Sequence, residues 1–258
     1  MHQPPPYPNY YQPVPRRRQR VFDAGSFTRG DLLTVIAYIL FFILGGASLI
    51  ALIPGYMQAF ATSEQALFGI NLILYVTFFI LAMIQCGPQF FDSFKTMRYH
   101  PVAKWLMLPG GWMITILSTG IISALLGKLQ TSENQQALEG MSQAVPLPVM
   151  LAVTALFGPF VEEYFFRHLL IGKLSRKLNV WVCALISVVL FMGIHFVGAG
   201  IGNWTEVVPY VMLGVMMSAA YILSGKSMAY SYMLHVINNT VALLMVYLVY
   251  PLLPSQGI

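Results

Sequence analysis

Apolar runs of about twenty residues recur along this chain, and nothing else in it restricts the fold so tightly. A helix needs about 20 apolar residues to cross about 30 Å of hydrocarbon. The runs predict spans at Leu32–Ile53, Ala66–Cys86, Trp105–Leu126, Leu147–Ile171, Val180–Val197, Val207–Leu223 and Met228–Leu252. A transmembrane barrel would need short strands of alternating polarity, and the sequence has none. Only 9% of the residues are charged, against about 25% in an ordinary soluble domain, and the mean hydropathy is +0.70. The expected fold is all-α: a polytopic transmembrane helix bundle of about seven spans.

Three regions follow. Residues 1–30 read as a disordered Pro/Arg-rich cytoplasmic tail, too poor in apolar residues to fold alone. Residues 31–146 supply the N-terminal transmembrane helices, and 147–254 hold the polar chemistry. The net charge of +5 does not point to nucleic acid. Arg16, Arg17, Arg18, Arg20 and Arg29 cluster before the first apolar run, where they can set topology and touch anionic lipid. Lys95, Arg98, Lys104, Lys173, Arg176, Lys177 and Lys226 fall in loops on that same side, and Lys128 alone lies in an opposite loop. The positive-inside rule therefore predicts a cytoplasmic N-terminus in a multi-pass cell-membrane protein. Trp105, Trp181 and Trp204 stand near span ends, as interfacial anchors do. Cys86 and Cys183 lie in apolar segments without ligand-like spacing and read as small buried hydrophobes.

Against this apolar background, Glu162, Glu163 and Arg167 sit inside the fourth run. One charge near the middle of the hydrocarbon costs roughly 2.5–3.5 kcal/mol on insertion scales. Charges retained at that depth mark an ion network, a proton path or a reaction site. Glu163 and Arg167 are four residues apart, with the acid on the N-terminal side as the stronger helical pairing prefers. Glu162 points about 100° away and has no partner in its own helix, which leaves it free for proton transfer. The fifth run ends in Phe191-Met192-Gly193-Ile194-His195, and the seventh carries His235 and Asn239 four residues apart.

If these faces converge, a carboxylate, two imidazoles and an amide meet inside the membrane. Glu162, helped by His195, could then deprotonate a water that attacks a peptide carbonyl. His235 and Asn239 could donate to the resulting oxyanion. Alternatively Glu162, His195 and His235 could hold a zinc ion with an open fourth position. The sequence leaves both versions open. It also leaves open a transporter that uses the charges for conduction, and a non-catalytic immunity or scaffold protein with a buried ionic network. One geometric strain is visible. At about 1.5 Å per residue, His195 falls toward the opposite membrane face from Glu162 and His235 if its helix begins at the surface with Val180. His168, next to Arg167, is expected to be an interfacial side chain.

The series Glu162-Glu163-x-x-x-Arg167, Phe191-x-x-x-His195 and His235-x-x-x-Asn239 resembles the motifs of the CPBP family. These are CAAX-processing and bacteriocin-processing intramembrane proteases that include the Ras-converting endoprotease. The likeness covers roughly Leu147–Leu252, and its motifs occur in order on separate spans. The resemblance implies that family's α-helical membrane fold and a membrane endopeptidase acting on a peptide or protein substrate. It assigns water activation to Glu162 and His195, an oxyanion site to His235 and Asn239, and support to Glu163 and Arg167. Members are often labelled metalloproteases, while a glutamate-dependent, metal-free mechanism is also proposed.

Overall fold

A computed structural model describes residues 19–126, 133–197, 200–249 and 252. The expected tail lies outside the described residues as far as Arg18, and so does Lys128. All regular structure among the described residues is helical. In chain order the helices are α1 (Arg29–Ile43), α2 (Gly46–Leu52), α3 (Ser63–Arg98), α4 (Pro101–Leu126), α5 (Glu133–Ala144), α6 (Leu147–Arg176), α7 (Val180–Ile194), α8 (Trp204–Leu223) and α9 (Met228–Val249). Helices α3, α4, α6, α8 and α9 are each long and apolar enough to cross a membrane, and the chain is a multi-pass membrane protein.

Each of the seven apolar runs becomes helix, but two of them differ from a plain span. The first bends by 60° between α1 and α2. Gly45, at φ 74°, supplies a left-handed residue there that side-chain-bearing residues rarely adopt. The fifth run forms only the 15 residues of α7. At about 1.5 Å per residue that is roughly 22 Å, short of the hydrocarbon thickness. A helix of that length does not reach from one surface of the bilayer to the other.

Helix starts follow local chemistry. The Thr28 hydroxyl accepts from Asp31 N, and the Asp31 carboxylate accepts from Thr28 N, a reciprocal cap on α1. Thr62, Asn179 and Ser227 cap α3, α7 and α9. The axis of the bundle is α6. Of its apolar stretch 67% is buried in the protein, against 22% to 33% in the other long helices. Around it pack Phe78 and Phe90 of α3, Phe191 of α7, Tyr221 of α8 and Ala229 of α9. The outer helices turn side chains such as Ile84, Ile116, Leu125 and Leu185 outward, as a hydrocarbon environment allows. Trp105, Trp181 and Trp204 are exposed near helix ends.

Two basic residues assigned to loops by sequence are instead buried. Lys104 lies within α4, and its Nζ donates to the Thr96 hydroxyl at 2.6 Å. Lys173 lies within α6 and pairs with Asp31. Their loops are shorter than hydropathy implied, because a buried partner lets a cation continue a helix into the protein.

Residues 19–28 run without helix across one end of the bundle. Gln19 donates to the Leu223 carbonyl, and Phe22 N donates to the Gly225 carbonyl at 2.8 Å. Arg20 pairs with Asp92, and Asp23 pairs with Arg176. Gly225 has φ 82°, and a Cβ there would collide with the Arg20 carbonyl. Replacement Gly225→Ala combines that collision with about 1–3 kcal/mol of left-handed strain. It is expected to raise the rate of trypsin cleavage after Arg20 by on the order of ten-fold, measured on the protein in nanodiscs.

Candidate active site

Helix α6 changes winding where its polar residues occur. Its α-helical turn Gly158–Glu162 lies between two π-helical stretches, Leu151–Phe157 and Glu163–Lys173. π-Helical winding is uncommon, usually limited to single turns, and frequently found at functional sites. Here the second stretch begins at the second glutamate.

The two glutamates take different positions. Glu163 is fully buried, and its Oε1 stands 3.1 Å from Arg167 Nη1 and 3.1 Å from His235 Nδ1. Arg167 is also fully buried. Its Nη2 donates to the Gly214 carbonyl at 3.2 Å, and its guanidinium lies 4.5 Å from the Phe191 ring centroid. Glu162 retains 8% exposure, and its Oε2 approaches His235 Nε2 at 3.5 Å. The order is therefore Arg167, Glu163, His235, Glu162, with the imidazole between two carboxylates. A carboxylate beside Nδ1 favours the tautomer with the proton on Nδ1. Nε2 is then directed at Glu162.

His195 caps the C-terminus of α7, and its Nδ1 lies 2.8 Å from the Phe191 carbonyl oxygen. An acceptor there again places the proton on Nδ1 and leaves Nε2 available. Its ring stacks on Tyr210 with centroids 4.3 Å apart. The Phe191 ring is 5.0 Å from His195 and 5.9 Å from His235. The two histidines nevertheless flank one phenylalanine, so the structure brings them together despite the depth difference that counting residues predicted. Among the described hydrogen bonds, none joins His195 directly to Glu162.

Asn239 was grouped with His235 by its spacing, but the two side chains have different partners. The Asn239 amide donates to the Thr154 carbonyl at 2.8 Å, and its oxygen accepts from Asn238 at 3.1 Å. It secures α9 to the π-helical start of α6. His168 is not interfacial as expected: it is 2% exposed and its ring stacks 6.0 Å from that of Tyr164. Close packing against α1 covers the face of α6 that the sequence left open to solvent.

Sequence reasoning missed a second polar cluster on α6. Asp31 is fully buried and accepts from Tyr164 OH at 2.8 Å and Lys173 Nζ at 2.6 Å. The Thr28-x-x-Asp31 cap was visible, but it reads as an exposed helix start. Nothing in the sequence gave Asp31 a partner more than 130 residues away.

A zinc ion needs three donor atoms converging on one point at about 2 Å. Among the described residues no three His, Cys, Asp or Glu side chains are so grouped. Each histidine holds Nδ1 on an oxygen and keeps Nε2 available, as metal-binding histidines do, but Glu162, His195 and His235 do not converge on one point.

Residues 144–241, which carry all of these motifs, match the family model described as type II CAAX prenyl endopeptidase Rce1-like. The C-terminal region is similar to that family. Curated relatives agree. A putative membrane peptidase, YdiL, of Bacillus subtilis strain 168 is 38% identical over 89 residues, 33% of this chain. That match spans only 36% of YdiL's length. The membrane-embedded CAAX protease MroQ of Staphylococcus aureus strain USA300 is 23% identical over 224 residues, covering 81% of this chain and 85% of MroQ. No solved structure matches the chain. The Rce1-like region includes α6, α7, α8 and most of α9, the four helices that supply the polar groups.

Proposed function

We propose that the protein is a membrane endopeptidase that hydrolyses a peptide bond with a water activated by Glu162. The observation that carries this reading is the Arg167–Glu163–His235–Glu162 contact series, in which one carboxylate is neutralised and the other faces a basic nitrogen. Arg167 holds the charge of Glu163, and Glu163 holds the His235 ring. Glu162 takes a proton from water as the hydroxide attacks the carbonyl carbon. The proton moves between Glu162 and His235 Nε2 and is delivered to the departing amine, giving a carboxylate and an amine as products. His195, with Nε2 available, orients the water, and the second N–H of Asn239 donates toward the oxyanion. The reading as a membrane endopeptidase is supported by the likeness to MroQ and YdiL, whose names describe a CAAX protease and a membrane peptidase.

The substrate is a membrane-associated peptide or protein, approached from the lipid and cut nearer the cytoplasmic side. The lysines and arginines that remain at the surface support that side. Arg20, Lys95, Arg98 and Arg176 gather at the end of the bundle where residues 19–28 cross it. By the positive-inside rule this end is cytoplasmic.

The test is complementation of a knockout strain with wild type, Glu162→Ala and Glu163→Ala at matched membrane abundance, reading peptides in the membrane fraction. An uncut peptide is expected to accumulate with Glu162→Ala and to vanish with wild type. Wild-type behaviour of Glu162→Ala would remove catalysis and leave the charges an architectural or transport role.

A further inference from the structure

We infer that Asp31, a residue of the first helix, is the positioning residue of this site: through Tyr164 and Lys173 it holds the π-helical turn that aims Glu162 and Glu163 at His235. The inference rests on the reading of those groups as the acid–base machinery.

An exposed helix cap needs only its own turn, but Asp31 does more. Its Oδ2 accepts from Thr28 N at 2.7 Å, Thr28 Oγ1 at 2.9 Å and Lys173 Nζ at 2.6 Å, and its Oδ1 accepts from Tyr164 OH at 2.8 Å. The carboxylate is fully buried with four donors, so its charge is met on every side. Two of the donors come from α6, and they come from the two ends of one stretch. Tyr164 directly follows Glu163 at its start, and Lys173 is its last residue.

That stretch needs an external restraint. An eleven-residue π-helix is far longer than the single turns in which this winding usually persists. A relaxation to ordinary α-winding would rotate every side chain after Glu162 relative to those before it. The turn would then direct either Glu162 or Glu163 away from His235. One carboxylate joining both ends opposes that rotation. The opposite face is held by Glu163 itself, through Arg167 and His235. The turn is thus fixed between Asp31 on one side and His235 on the other, with Tyr38 adding a ring contact to Phe165 at 4.1 Å.

The experiment uses the full chain in nanodiscs with the variants Asp31→Asn, Asp31→Asn/Lys173→Met and Glu162→Gln. Three quantities are read: thermal stability, hydrogen exchange of amides 163–173, and cleavage of an internally quenched peptide with a farnesylated CAAX-type C-terminus. Asp31→Asn is expected to speed exchange of 163–173 about ten-fold beyond any change elsewhere. It should lower kcat about ten- to a hundred-fold with KM nearly unchanged, as a displaced catalytic group does. The double variant removes both charges and should recover thermal stability without recovering exchange protection or kcat. Recovery of stability and kcat together would overturn the inference, leaving Asp31 an anchor only. Unchanged exchange of 163–173 in Asp31→Asn would overturn it as well. Glu162→Gln should keep wild-type exchange while losing cleavage. If wild type leaves the probe uncut while Asp31→Asn still loosens 163–173 selectively, the hold on the helix is upheld and the protease reading with this substrate class fails.

Discussion

Glu162→Gln is expected to lower cleavage by about 10²- to 10⁴-fold, the usual worth of a positioned general base, with little change in thermal stability. Glu163→Gln, one residue on, is expected to lose both. The difference follows from burial and partners rather than from chemistry, since the side chains are identical. Glu162 keeps 8% exposure, and its ion pair among the described residues is with His235, so an amide of the same shape removes no partner that the buried Arg167 depends on. Glu163 is sealed between Arg167 and His235. Neutralising it leaves the Arg167 guanidinium in a low-dielectric interior with the Gly214 carbonyl and the Phe191 face as its remaining partners. Cleavage of the quenched peptide and the melting temperature of the same nanodisc samples check both halves. Equal losses of stability in the two variants would show that Glu162 is a second structural carboxylate.

The helical class and the Glu163–Arg167 pair were legible in the sequence because each rests on local rules. Twenty-residue apolar runs require helices, and an i,i+4 acid–base spacing brings its members together whatever surrounds them. Glu162 could be singled out for the same reason, since it stands off that face. What the sequence could not supply was anything dependent on contacts between helices. Spacing on α9 joined His235 to Asn239, yet His235 turns to the two glutamates of α6 while Asn239 reaches a carbonyl two turns earlier on that helix. Lys173 looked like a loop cation, because only the arrival of Asp31 from α1 makes its burial tolerable. His195 looked too far away because its depth was counted along its own helix from Val180, and only the contact of α7 with α9 puts Phe191 between the two histidines.

Removal of the cation alone gives the second large effect. Arg167→Leu is expected to cost about 3–5 kcal/mol of stability, the range seen when one partner of a buried pair is deleted and the other is left charged. Glu163 would then face His235 with no fixed positive charge on its other side. The variant is expected to be poorly recovered in membranes. The double variant Arg167→Leu/Glu163→Leu removes both charges, and in such cases apolar replacement of a buried pair is often neutral or stabilising. Its stability should return to near wild type. Its cleavage should not return, because His235 would have lost the acceptor that fixes its Nδ1 proton and the direction of Nε2 toward Glu162. Stability and activity therefore separate in this cycle. That separation distinguishes a pair whose task is to set an imidazole from one that only fills the centre of a helix bundle. In the second case, cleavage in the double variant would rise together with the melting temperature.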